Sequence, residues 1–171
     1  MKIYGKHGYA RDAIDADILE LSINPRSVDK RHSKYLGWKN HKEHVATTFN
    51  NSIRSISFCL NNGTLVATVG VNPSDRDRIG HVWILGSRSS IDILKSKGKF
   101  KKIFGRLGTA VGVYEFMRNS KEHFDWLFGD EFDHLVNIIE TNNILGIRWV
   151  KFLGANVQEH DGKFSKITFS K

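Results

Sequence analysis

Glycines punctuate a basic stretch of this chain, Gly105-Arg106-Leu107-Gly108-Thr109-Ala110-Val111-Gly112, just before a segment with helical periodicity. A helix start of this kind presents unpaired backbone N–H groups, and glycine lets an anion approach the backbone closely, so phosphate binding is the chemistry such a loop can do. Lys95, Lys97, Lys99, Lys101, Lys102 and Arg106 crowd the same region. Three readings of that run stay open: it neutralises the phosphates of a nucleotide-bearing cofactor, it makes weak contact with nucleic acid through residues 95–106, or it is a solvated loop. No aromatic residues interleave with it at regular spacing, so sequence-specific nucleic-acid recognition is not supported.

Other chemistries fit less well. His32, His41, His44, His123 and His134 do not show the H-x-x-x-H or C-x-x-C spacing of a zinc site, and His41-x-x-His44 falls in a polar segment without clear period, so no metal is expected. Neither a G-x-S-x-G elbow nor a P-loop occurs. The single cysteine, Cys59, lies in the apolar run Ile56–Leu60 and reads as a buried free thiol.

The elements that must position these residues follow from pattern. With 171 residues and 40% apolar composition the chain is expected to form a single domain, residues 1–171. A net charge of +8 makes a polyanionic or phosphorylated partner plausible. The N-terminus lacks an apolar signal region, and no run is long enough to span a membrane. A short strand is expected around Ile3-Tyr4, a helix over Asp12–Leu21 with Asp12 as N-cap, and a polar helix over Ser27–Leu36 stopped by Gly37. Trp38–Asn51 shows no period. Ser52–Leu60 and Thr64–Val71 flank the turn Asn61-Asn62-Gly63 and predict an antiparallel hairpin, with His81–Leu85 as a third strand. Helical periodicity covers Val113–Phe128, with Val113, Phe116, Phe124 and Leu127 on the apolar face. Leu135–Ile139 predicts a strand and Lys163–Phe169 a closing one.

Between them, Asn143–Ala155 reads N-I-L-G-I-R-W-V-K-F-L-G-A, a helix of about three turns ended by Gly154. Only Arg148 and Lys151 mark a polar stripe, which predicts a helix buried on most sides. This segment resembles the N-x-x-A-x-x-L-Y-x-x-x-G-F helix of the GNAT acyltransferases, with Asn143 on the asparagine, Gly146 on the small residue, Trp149 on the leucine and Val150 on the tyrosine that usually protonates the leaving thiolate. The resemblance implies an α/β fold: a central mixed, twisted sheet flanked by helices, two of its strands splayed at a cofactor cleft. It implies acetyl-coenzyme A as cofactor, held by Asn143 and by Gly105, Arg106, Leu107, Gly108, Thr109 and Ala110. In that loop Gly108 and Ala110 fit the G-x-G/A of the family motif, while Gly105 stands at its Q/R position and the arginine comes one residue late. A base for the acceptor amine is also implied, and Glu140, after Leu135–Ile139, is the carboxylate expected near the cleft, ahead of His81.

A narrower resemblance rests on Glu115-Phe116-Met117-Arg118-Asn119-Ser120-Lys121, on Ile147-Arg148-Trp149-Val150-Lys151-Phe152-Leu153-Gly154 and on Val82-Trp83-Ile84-Leu85-Gly86. These are similar to F-L-R-x-S-R, I-R-W-L-K-x-L-G and W-L-L-G-T segments of the small GNAT-like proteins of short-tailed bacteriophages, the internal virion protein A-like group, which also typically lacks the tyrosine. That resemblance implies a phage-encoded protein of the host cytoplasm or the virion, with phage structural or host proteins as partners. Two functions follow from it. One is an acetyl-coenzyme A-dependent N-acetyltransferase or a degenerate form of it; the other is a non-catalytic virion-assembly or DNA-ejection protein acting through its basic surface.

Overall fold

A computed structural model describes residues 3–4, 8–88 and 120–171. The glycine loop 105–112, the basic run 95–106 and the helix face at Val113 and Phe116 therefore lie outside the described residues. In chain order the elements are β1 (Ile3–Tyr4), β2 (Gly8–Asp12), α1 (Asp15–Ile23), α2 (Ser27–Tyr35), α3 (His41–Asn50), β3 (Arg54–Leu60), β4 (Leu65–Pro73), β5 (Ile79–Gly86), α4 (120–128), β6 (His134–Glu140), α5 (Ile144–Phe152), β7 (Asn156–Glu159) and β8 (Phe164–Ser170).

The eight strands form one sheet in the order β1-β2-β3-β4-β5-β6-β8-β7. Every neighbouring pair is antiparallel except β5 and β6, so the sheet is mixed. The hairpin expected around Asn61-Asn62-Gly63 is present as β3–β4, and Gly63 supplies the left-handed turn residue with φ +84°. Strand alternation divides the apolar residues between two faces. Ile56, Val69, Val71, Val82, Leu135 and Ile167 pack with Phe124, Leu127 and Phe128 of α4 and Val150 of α5. Trp83 and Leu85 point the other way, to Ile18 and Leu21 of α1 and Val45 of α3.

Several expectations are corrected. Asp12 does not cap α1: it is the last residue of β2, opposite Ile56, and the cap position is Ile14. The carboxylate of Asp17, three residues further on, accepts the Ile14 N–H at 3.1 Å and does the capping work from inside the helix. The segment without period contains α3, started by Asn40, whose side chain accepts the Lys42 N–H at 3.0 Å. Of its ten residues only His44 and Val45 are buried, too few to write a stripe. The edge strand β7 was equally silent, with only Val157 half-buried. The helix expected to be buried on most sides is instead half open: Ile144 is 55% and Phe152 52% exposed, because α5 lies against the sheet chiefly through Val150 and the following Leu153.

Candidate functional site

β5 and β6 run side by side for only three rungs, Ile79 opposite His134, Gly80 opposite Leu135 and His81 opposite Val136. Gly80 makes that approach possible: a Cβ there would stand 2.6 Å from a Val71 methyl and 2.9 Å from a Leu135 methyl. Beyond His81 each strand keeps its outer partner. β5 stays on β4 as far as Gly86 opposite Ala67, and β6 stays on β8 as far as Glu140 opposite Phe164. The two therefore splay, which is the opening between two strands that the resemblance implied.

Splaying leaves peptide groups facing the gap. Ser87 N–H donates to Val66 O at 3.0 Å and Ser74 N–H to Ile79 O at 3.1 Å, so the odd-numbered residues of β5 bond to β4 and the even-numbered ones turn toward β6. The peptide groups of Ile84 thus face the gap with no strand opposite them. At the far end Gly86 N–H donates to Asp29 Oδ2 at 3.3 Å. On the other wall, Ile138 N–H is held by the side chain of Asn137 at 2.7 Å, and Glu140 C=O accepts from Asn143 N–H at 2.9 Å. A cleft of about 600 Å³ fills the splay, with Val82, Ile84, Ile138, Asn143, Trp149 and Val150 among its walls. Unpaired strand peptides beside apolar walls suit an extended amide-bearing chain, the kind of group an acyl-coenzyme A arm presents.

The expected site residues fall as follows. Asn143 is the N-cap of α5, its Oδ1 accepting Gly146 N–H at 3.1 Å, and it borders the cleft. Gly146 is confined there, since a Cβ would meet the Asn143 side chain at 2.6 Å. Val150 lines the cleft but is 1% exposed and anchored in the core, and it has no proton to give. His81 sits at the apex, exposed. Glu140 lies at the cleft end of β6, 8% exposed, with both carboxylate oxygens on Arg31. Hydrogen bonding to that guanidinium, against the cost of burial, holds the Glu140 carboxyl below the usual carboxylate range. Gly105, Arg106, Leu107, Gly108, Thr109 and Ala110 are outside the described residues, and among the described residues no cluster of side chains could hold a metal ion.

One group was missed. Ser33 of α2, 2% exposed, has its Oγ 3.0 Å from Asp29 O, 2.7 Å from His41 Nδ1 and 2.7 Å from His44 Nδ1. A carbonyl only accepts, so all three contacts are hydrogen bonds when the hydroxyl proton goes to Asp29 O and the Nδ1–H groups of His41 and His44 both donate to Oγ. That tautomer leaves Nε2 of His44 with its lone pair. Trp38 stacks on the His44 ring, centroids 5.2 Å apart. Burial, followed by the neighbouring His32 and His41, pushes His44 down to about 4. The trace in the sequence was the spacing His41-x-x-His44, which on a helix puts both rings on one face.

No protein-family model matches the sequence, and no curated protein sequence matches it significantly. Solved structures do match in fold. The GNAT domain of PAT from S. lividans aligns with a TM-score of 0.62 at 12% identity, over 99% of this chain and 97% of that one. An acetyltransferase from Agrobacterium tumefaciens aligns with a TM-score of 0.61 at 12% identity, over 100% and 95%. The ribosomal-protein-S5-alanine acetyltransferase of Vibrio fischeri aligns at 0.57 and 13%, over 99% and 96%. The chain has the GNAT fold, a mixed α/β sheet flanked by helices and opened between its two parallel strands. No helix among the described residues is long and apolar enough to cross a membrane.

Proposed function

We propose that this protein is an acyltransferase of GNAT type that moves an acetyl group from acetyl-coenzyme A to an amine. The observation that carries the reading is the splay of β5 and β6 after His81, with a cleft of about 600 Å³ and strand peptides left facing it. The thioester supplies an electrophilic carbonyl: a carbon–nitrogen bond forms, the carbon–sulfur bond breaks with its electron pair on sulfur, and the amine gives up a proton. Asn143, the peptide groups of Ile84 and the loop residues Gly105–Ala110, in which the sequence predicts a helix start, would hold the cofactor. Water takes the place of the absent tyrosine in protonating the thiolate, since Val150 cannot. Glu140, already paired with Arg31, is a weak base. The chain acts as a single GNAT-like domain, and the phage-type resemblance makes a host or phage macromolecule the acceptor.

A second reading is favoured by the valine at the proton-donor position and the engaged carboxylate of Glu140. It is a phage protein that keeps the fold without the reaction and serves virion assembly or DNA ejection through its +8 net charge. Losing a positioned acid typically lowers rate by about 10²–10⁴. Calorimetry with acetyl-coenzyme A decides: saturable binding supports the enzyme. No heat, with retention on DNA or co-purification with virions, supports the assembly role.

A further inference from the structure

A second cavity, about 550 Å³, opens beneath α3 and meets the cleft at His44, Thr48, Asn72 and His81. The meeting point is the level of the last parallel rung, where the gap between β5 and β6 begins. A site joining an acyl donor to an acceptor needs two entrances converging on one point, and here the splay is one and the cavity under α3 is the other. The cavity's remaining walls are Trp38, Thr47, Asn51 and Pro73, so none of its lining residues is Asp, Glu, Lys or Arg. Asn72 is fixed by accepting the Trp83 indole N–H at 3.0 Å and the Ser52 hydroxyl at 2.7 Å.

Resting on the acyl-transfer reading, we propose that this cavity is the acceptor subsite, that it takes a weakly basic amine in its neutral form, and that Nε2 of His44 receives the amine N–H. The Nδ1 side of the ring is committed to Ser33, and that is the one hydrogen bond the ring makes among the described residues. The groups around the ring are His32, Ser33 and Asp29 from α2, His41 from α3, Trp38, and Asn72 and His81 from the sheet. The one carboxylate in that set, Asp29, is already bound bidentate by Arg26 at 2.8 Å for each contact. Asp75 borders only the larger cleft, beside Arg76. An alkylammonium would thus meet imidazoles and no free carboxylate. It would also have to give its proton to a ring that titrates near 4, about six units below a lysine ammonium. An amine with at least about half of its molecules neutral near pH 8, a peptide α-amine or an aromatic amine, needs no such transfer before it attacks. It donates its N–H to Nε2, and the proton it sheds on acylation passes to Nε2 and then to water in the cleft.

The test uses the full chain with ¹⁵N-labelled histidine at pH 8, titrated with trialanine amide, with aniline, and with Nα-acetyl-lysine amide, whose only amine is the ε-amine. The expected result is a saturable shift of the His44 Nε2 resonance with trialanine amide, with aniline or with both, and none with the lysine derivative. Which of the first two acts separates a polypeptide N-terminus from an arylamine. His44→Asn keeps a donor for Ser33 and removes Nε2; it should retain acetyl-coenzyme A binding and lose about 100-fold in acetylation rate. Thr47→Phe, which fills the cavity, should abolish the shift in a protein that keeps its melting temperature. An equal response to the lysine derivative, or an unmoved His44 with acetyl-coenzyme A still bound, overturns the acceptor assignment alone. Absence of acetyl-coenzyme A binding overturns the acyl-transfer reading beneath it.

Discussion

Arg31 of α2 grips Glu140 at the end of β6 through two parallel hydrogen bonds, Nε to Oε1 at 2.7 Å and Nη2 to Oε2 at 2.8 Å. The fork-on-fork geometry occupies one in-plane lone pair on each oxygen of a carboxylate that is itself buried, while the arginine is 58% exposed. The pair ties α2 to the strand forming one wall of the cleft. Its role is thus to fix the cleft's rim, and the carboxylate it holds is a poor proton acceptor.

Replacing either partner separates these roles. Glu140→Gln should keep acetyl-coenzyme A binding and most of the activity while lowering the melting temperature. Arg31→Met frees the carboxylate and lets its titration rise toward the ordinary range. If Glu140 were the base, that variant would gain rate near neutral pH; a loss of melting temperature with no gain in rate is the expected outcome. The pH dependence of stability has a definite sign here. Because the carboxyl is held below its unfolded value, its contribution is complete above the ordinary carboxylate range and fades as pH falls through the folded value.

Imidazoles set the acid limit higher. His32, His41, His44 and His123 all titrate below the ordinary histidine value, burial being the first cause in each. Between pH 6.5 and the folded values the unfolded chain binds more protons, so stability should fall steadily as pH drops below about 6.5. His123 is 1% exposed, neither ring nitrogen has a partner among the described residues, and its ring meets Phe58 in a T-shaped contact with centroids 5.0 Å apart. His123→Leu should raise the melting temperature at pH 5 more than at pH 8. Equal changes at both pH values would show that His123 is not one of the titrating groups.

The fold was legible where burial writes a period. β3, β4 and β5 carry β-branched residues between strong turn signals, and β6 and the Gly154 stop with φ +96° stand where expected. What could not be read was any element held by a few specific contacts. α3 buries His44 and Val45 alone, and α1 is capped by Asp17 from its own third position. The Ser33–His44 contact joins two helices that bury few apolar residues, Val45 among them. The burial of Val150 was legible in the apolar run of its helix, and it is core as that pattern predicts.

Packing beneath the sheet gives a direct test of the expected helix face. Phe124 is 3% exposed, meets the Trp149 ring edge-on at 6.0 Å and leans on Phe169 at 4.8 Å. Phe124→Ala removes both contacts from a core that cannot close around the loss, at a cost of about 3–5 kcal/mol. A domain of this size should lose about 10 °C in melting temperature. A change of only a degree or two would mean that α4 does not anchor the sheet.

The apex of the splay separates the two functional readings. Val136 is half-buried, sits opposite His81 on the last rung and lines the cleft. A tryptophan there would stand in the mouth between β5 and β6, since the valine it replaces lines the cleft and is not part of the core clusters. Val136→Trp should therefore keep the far-ultraviolet spectrum and a melting temperature within a few degrees, since it creates no cavity and orphans no polar group. If the splay holds acetyl-coenzyme A, calorimetry should show saturable binding to the unmodified chain and at least about a tenfold loss in the variant, some 1.4 kcal/mol of binding free energy. Retention on DNA should be the same for both proteins, because the substitution changes no charge. Binding of acetyl-coenzyme A that survives the tryptophan undiminished would place the cofactor somewhere other than the gap between the parallel strands.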